Sequence, residues 1–229
     1  MPDAPSPGAA VRAAASDFFF NSWRLVPANV IWGAGLLLLL LTLAGMPLAG
    51  PVVAVLLALP TAGIFRLTAM IARQRPAEFG DAMSAWRKFA GPALAIGGAM
   101  VGLSLVLGFN VLIGLVNTEP LLWAVGVMAG WGLLAVWAIG LPLWPLVVDP
   151  LRDGEPMLPR LRLALAVALV APGRFVALVL TCAVLLIAST VLFAALVTVT
   201  IAFVALVANH YALPAADRLE RRPTQPLPS

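Results

Sequence analysis

Residues 175–208 read FVALVLTCAVLLIASTVLFAALVTVTIAFVALVA, a run of 34 residues without a charged side chain. As one helix, at about 1.5 Å per residue, the run would extend about 51 Å. That is far beyond a hydrocarbon core of about 30 Å. As two short helices joined by a turn near Ser189 and Thr190, it crosses the same core twice. Charge chooses between these readings. A single crossing puts Arg218, Arg221 and Arg222 on the opposite side from the other basic segments, whereas a hairpin returns them to the same side. Lys and Arg accumulate in cytoplasmic loops, so the hairpin is the expected structure.

The same rule orders the rest of the chain. Four further apolar spans are expected, at about 27–43, 48–71, 92–116 and 121–148. Basic residues fall before the first span, between the second and third, between the fourth and fifth, and after the sixth. Arg66 lies just inside the end of span two that faces the next basic gap. The three other gaps carry none. The expected fold is an all-α polytopic membrane bundle of six transmembrane helices, N-in/C-in. Composition excludes a soluble domain: 62% of residues are hydrophobic and 10% charged, against roughly 25% charged in soluble domains. Mean hydropathy is +1.02. The net charge of +4 is spread over short segments, which suits an anionic lipid leaflet and no nucleic acid. The organisation expected is a disordered juxtamembrane segment at 1–24, a membrane domain at 25–211 and a disordered cytoplasmic tail at 212–229. The first apolar block, 25–43, exceeds the roughly 7–15-residue core of a cleavable signal, so a retained anchor is expected.

Local breaks refine this outline. Trp23 and Trp32 bracket an interface, and Gly45-Met46-Pro47 closes span one. Pro60 removes a backbone donor and leaves span two either kinked or partly re-entrant. Pro142 and Pro145 are expected to bend or end span four. The apolar stretch 163–171 is too short to cross, and reads as an interfacial helix or as an extension of span five beyond Pro172-Gly173. Between spans two and three, Phe79, Met83 and Trp86 recur at i, i+4, i+7. This spacing predicts a short amphipathic helix lying at the inner surface.

Polar positions within the spans or at their edges are the candidates for function: Asn29, Ser104, Asn110, Asp149, Thr198, Asn209 and His210. Asn110 reads as an interhelical hydrogen-bond partner rather than a ligand contact. Asp149 is expected to pair with Arg152 or another inner-face Arg. Asp149, Asp153 and Glu155 are mixed with Arg152 and Arg160, which suggests a solvated loop and not a cation site. One His and one Cys (Cys182, in an apolar run) supply no zinc ligand set. No P-loop, nucleophile elbow or His-Glu-x-x-His occurs. No enzyme activity, cofactor or metal is expected. Gly98-x-x-x-Gly102 and Gly126-x-x-x-Gly130 allow close helix approach, within the chain or across a homodimer.

Several elements in order resemble the YesL-like family of bacterial integral membrane proteins. They are Asn29-Val30-Ile31-Trp32, then Leu59-Pro60-Thr61-Ala62-Gly63-Ile64-Phe65-Arg66, then the helix bearing Phe79, Ala82, Trp86 and Phe89. Asn110, Pro145-Leu146-Val147-Val148-Asp149-Pro150 and Leu163-Ala164-Leu165-Ala166 follow. The resemblance runs from about residue 17 to 212. It implies a multi-pass protein of the bacterial inner membrane, accessory to carbohydrate uptake or utilisation, and no transferable site residues. Its implied partners are the lipid bilayer and other membrane proteins such as transporter subunits. A small transporter or channel, a homo-oligomeric scaffold and a membrane enzyme are the alternatives. The transporter predicts a polar cavity lined by Asn110, Ser104 and Thr198.

Overall fold

The computed structural model describes residues 6–221, which are helical with no strand. Its helices are α1 (Pro7–Gly45), α2 (Gly50–Leu56), α3 (Ala58–Ala72), α4 (Phe79–Lys88), α5 (Ala90–Val116) and α6 (Pro120–Val148). They continue as α7 (Met157–Val170), α8 (Pro172–Val191), the single turn α9 (Phe193–Ala195) and α10 (Ile201–Arg221). Six segments are long and apolar enough to cross a membrane: Pro7–Gly45, Pro47–Ala72, Ala90–Val116, Pro120–Val148, Pro172–Val191 and Phe193–Arg221. This fits an integral membrane protein, because a helix satisfies its backbone without water. The last segment is the most central, with 44% of its most apolar stretch buried against 6% for α5.

The hairpin is present, and its turn is at Leu192, where φ −105° and ψ 72° leave the helical region. Thr200 Oγ1 donates to Ser189 Oγ at 2.7 Å. Eleven residues along one straight helix would separate these groups by about 16 Å, so the chain reverses between them.

Both expected disordered segments are in part helical. Residues 7–24 belong to α1: Ser6 Oγ accepts from Ala9 N–H at 3.2 Å, and Pro7 stands in the first turn. There its missing donor is harmless. The alanine-rich stretch that follows favours helix, and Ala10 and Ala14 are buried. At the other terminus α10 continues past Tyr211 through Pro214, burying Ala212, Leu213, Ala215 and Ala216. Residues 1–5 and 222–229 of those two segments lie outside the described residues.

Pro60 interrupts span two without turning it back. Pro60 cannot donate to Leu56 O, and the helix breaks at Leu57, which keeps φ −60° and ψ −18°. The span is therefore kinked and not re-entrant. Span four carries through Pro142 and Pro145 to Val148, with residues 142–148 all buried; the prolines do not end it. α7 is a helix in its own right. Ala171, at φ −137° and ψ 68°, separates it from Pro172 at the start of α8, and α7 packs on α6 and α10.

Helix α4 forms where expected, its start held by Glu78 N–H donating to Asp81 Oδ2 at 2.7 Å. Of the expected Phe79–Met83–Trp86 stripe, Phe79 packs on the core and Trp86 on Gly63, but Met83 does not turn inward. Ala82, Ala85 and Phe89 are buried, while Met83 is 42% exposed. Helix α4 lies close on α3: a Cβ at Gly63 would sit 2.7 Å from Ala82 O and 2.4 Å from Trp86 Nε1.

Helices α5 and α6 meet backbone to backbone at a pair of glycines. A Cβ on Gly126 would lie 2.8 Å from Gly114 Cα, whereas Gly98 and Gly102 have nothing within 4 Å. One member of the two G-x-x-x-G matches thus packs within the chain, against a glycine outside both. Gly126→Val is expected to lower stability by about 1–3 kcal/mol through overpacking, while Gly98→Val stays near neutral. Thermal unfolding of the two variants in detergent micelles checks this.

Candidate functional site: a charged clasp and the intramembrane polar groups

Helix α6 ends at Val148 against Asp149-Pro150, and the last carbonyls of a helix lack intrahelical donors. Two arginines from other elements supply them. Arg66 on α3 donates to Val148 O at 2.8 Å, and Arg160 on α7 donates to Val147 O and Arg152 O. Positive charge at a helix C-terminus is also favoured by the macrodipole. Burial pushes the Arg160 pKa down, against the opposing influence of Glu155, Asp153 and Asp149.

Beyond that helix end, the Asp149 carboxylate is wholly buried between two guanidiniums. Arg73, just past α3, donates to Asp149 Oδ2 at 2.7 Å and to Oδ1 at 3.2 Å. Arg152 donates to Oδ2, and the Leu151 N–H to Oδ1 at 3.1 Å. Both arginines continue onto α10. Asp217 accepts from Arg73 and, at 2.8 Å, from Arg152, which also donates to Glu220 at 2.7 Å. Beside this group Arg66 holds Asp153 through two bonds of 2.9 Å, and Lys88 Nζ adds a third at 2.6 Å.

Five cations and four carboxylates therefore tie α3, α4, α6, α7 and α10 together. Burial alone would lower the pKa of Arg73 and Arg152. Hydrogen bonds to Asp217 and Asp149 for the first, and to Glu220 and Asp217 for the second, outweigh it and raise both. Burial likewise works against the Asp153 carboxylate. Hydrogen bonds from Lys88 and Arg66 prevail and hold its pKa below the ordinary 3.8.

The expected Asp149–Arg152 pair is thus present, and the loop is solvated only in part: Asp153 and Glu155 are exposed, whereas Asp149, Arg152 and Arg160 are only 0, 4 and 5% exposed. These three ions leave water because each meets an opposite charge or a helix carbonyl. Among the described residues no group of three or more His, Cys, Asp or Glu is arranged to hold a metal.

The remaining candidate positions are dispersed. Asn29 on α1 is fully buried against the π-helical stretch Leu196–Thr200. Its Nδ2 donates to Leu196 O and Val197 O at 3.1 and 2.8 Å, and its Oδ1 accepts from Ala202 N–H at 2.7 Å. Asn209 on α10 donates to Thr68 Oγ1 and Ala205 O, both at 2.9 Å, joining α10 to α3. His210 Nε2 lies 2.8 Å from Asp17 Oδ2 and links α10 to α1. Asn110 makes its hydrogen bond within its own helix: its Nδ2 donates to Val106 O at 2.8 Å. Thr198 similarly donates to Ala194 O at 2.7 Å.

Ser104 accepts from Trp137 Nε1 at 3.2 Å and lines an apolar cavity of about 540 Å³. Asn110 and Thr198 do not line it, so the polar chamber expected of a transporter is not assembled from these three residues. Compared with protein-family models, with curated proteins and with solved structures, the chain matches none.

Sequence reasoning passed over Arg73, Asp217 and Glu220 as clasp members. Arg73 and Asp217 are 144 residues apart, and no local pattern joins them. The one available signal was the excess of Arg around a span-end Asp.

Asn29→Leu is expected to strand two carbonyls and one amide at the π segment and cost about 2 kcal/mol. Faster hydrogen exchange at Ala202, with a lower unfolding temperature, would register it.

The Asp153 ion pairs contribute stability above the ordinary carboxylate pKa, and that contribution fades as pH falls through the lower folded value. Between about pH 6 and about pH 3 the native chain should therefore lose more thermal stability than Asp153→Asn. Equal slopes for both chains would show that these ion pairs add nothing.

Proposed function

We propose that the chain is a non-enzymatic component of a bacterial plasma membrane, with both termini cytoplasmic, serving a carbohydrate-uptake system as an accessory subunit. The supporting observation is how its intramembrane polar groups are used. Asn29, Asn110, Thr198 and Asn209 all serve helix backbones or neighbouring helices, and the cavity beside Ser104 is apolar. A sugar in transit needs buried groups that hydrogen-bond its hydroxyls, and these residues do not offer a continuous set. Work then falls to contacts. The Lys and Arg bias supports a cytoplasmic clasp end. There the outer face of α4 presents Met83, Ser84, Arg87 and Lys88 to a partner.

Gentle extraction of a tagged chain from native membranes should recover subunits of a sugar transporter in fixed ratio. Arg87→Glu on the exposed face of α4 should deplete them while leaving the fold intact. Recovery of the chain alone would remove the accessory role.

A further inference from the structure

We propose that the cavity beside Ser104 is a binding site for one hydrocarbon chain of a phospholipid, which enters sideways from the bilayer. All six spans contribute to its wall: Trp32 on α1, Thr61 on α3, Ser104 on α5, Trp144 on α6, Leu186 on α8 and Ile201 on α10. Its volume of about 540 Å³ lies within the range of sites that hold organic ligands, roughly 300–1,000 Å³.

Water is a poor occupant. A buried water needs about 2–4 polar partners, and the two wall hydroxyls are already engaged by indoles. Trp32 Nε1 donates to Thr61 Oγ1 at 3.0 Å, and Thr61 in turn donates to Leu57 O at 2.8 Å. Trp137 Nε1 occupies Ser104 in the same way. A polar solute meets the same obstacle.

Collapse is blocked as well. Beside the cavity, α5 already touches α3 so closely that a Cβ on Gly97 would lie 2.6 Å from Ala58 Cβ. A Cβ on Gly35 of α1 would lie 2.6 Å from Leu57 Cδ2. The helices meet at these points and cannot draw nearer to close the space. The space must be filled by something apolar, and the source is at hand. Leu105 and Trp137 line the cavity and are 55% and 57% exposed on the outer faces of α5 and α6. In a span those faces meet acyl chains, which makes the bilayer the reservoir for the occupant.

The test uses Trp144, which lines the cavity and is only 7% exposed, so bulk lipid does not reach it. A full-length chain keeping Trp144, with its six other tryptophans changed to Phe, is reconstituted in phosphatidylcholine vesicles with and without bromine on the acyl chains. Emission should fall about twofold in the brominated lipid, because a chain in the cavity lies within contact range of the indole. Ala54→Phe, which fills the cavity from α2, should restore most of the signal. Unchanged Trp144 emission, while a chain retaining only the exposed Trp131 is quenched normally, would overturn the site. Should the tryptophan-depleted chain fail to fold, native mass spectrometry of the unaltered chain decides. One retained phospholipid, lost in Ala54→Phe, supports the proposal; no retained lipid, or an isoprenoid in its place, overturns it.

Discussion

A helix that ends inside a protein leaves carbonyls that something must satisfy, and in this chain that demand at Val147 and Val148 organises one end of the bundle. Arg66 and Arg160 come from α3 and α7 to meet it, and each fixes its own helix by doing so. Asp149, the residue that follows, is buried with no water to stabilise its charge. It is tolerable only between Arg73 and Arg152. Those arginines in turn require Asp217 and Glu220 on α10. Desolvating so many ions offsets much of their attraction, and such a network is weak evidence for net stability. Removing one partner is another matter, costing about 3–5 kcal/mol because the charge left behind stays buried. The clasp therefore penalises any arrangement of α3, α6, α7 and α10 that parts one of these charges from its partner.

The same accounting of backbone groups explains the intramembrane polar residues. Hydrocarbon tolerates no unsatisfied amide, yet this chain breaks its helical ladder at Pro60 and at Leu196–Thr200. Thr61 accepts an indole N–H and returns a bond to Leu57 O beside the first break. Asn29 repairs the second with both ends of its amide. It can reach there because Gly33, one turn further along α1, lies against Val197 so closely that a Cβ would stand 2.7 Å from its carbonyl oxygen. Polar residues of the kind that line transport paths are, at these positions, the consequence of irregular helices.

Features carried by composition and spacing along the chain were legible in the sequence. Length and charge divided 175–208 into two helices, and the turn falls at Leu192, close to Ser189-Thr190. The amphipathic helix between spans two and three lies at Phe79–Lys88. Of its apolar stripe Phe79 and Trp86 pack inward, while Met83 stays exposed and Ala82 lies against Gly63 of α3. Helix beyond both ends of the apolar core was missed for a related reason. Alanine-rich or proline-bearing segments look disordered until a partner surface buries them, as happens at Ala14 and Ala216. The clasp was the least legible element. Asp149 pointed to an arginine nearby, but nothing local announces that Arg73 and Asp217 meet.

These observations divide the molecule into unequal parts. At the clasp end, ion pairs and buried helix termini leave little freedom, since each charge of the clasp has a designated partner. Towards the connection between α5 and α6, side chains such as Leu115, Val116, Leu121 and Trp123 face outward. There packing against the rest of the bundle gives way to packing against lipid. The cavity sits between these regimes, walled by all six spans, with the exposed Leu105 of α5 and Trp137 of α6 in its lining. A chain entering it would add contacts to the loosely packed half without disturbing the clasp. Lipid composition should therefore act on the α5–α6 hairpin first, with the ionic end as the fixed point against which it moves.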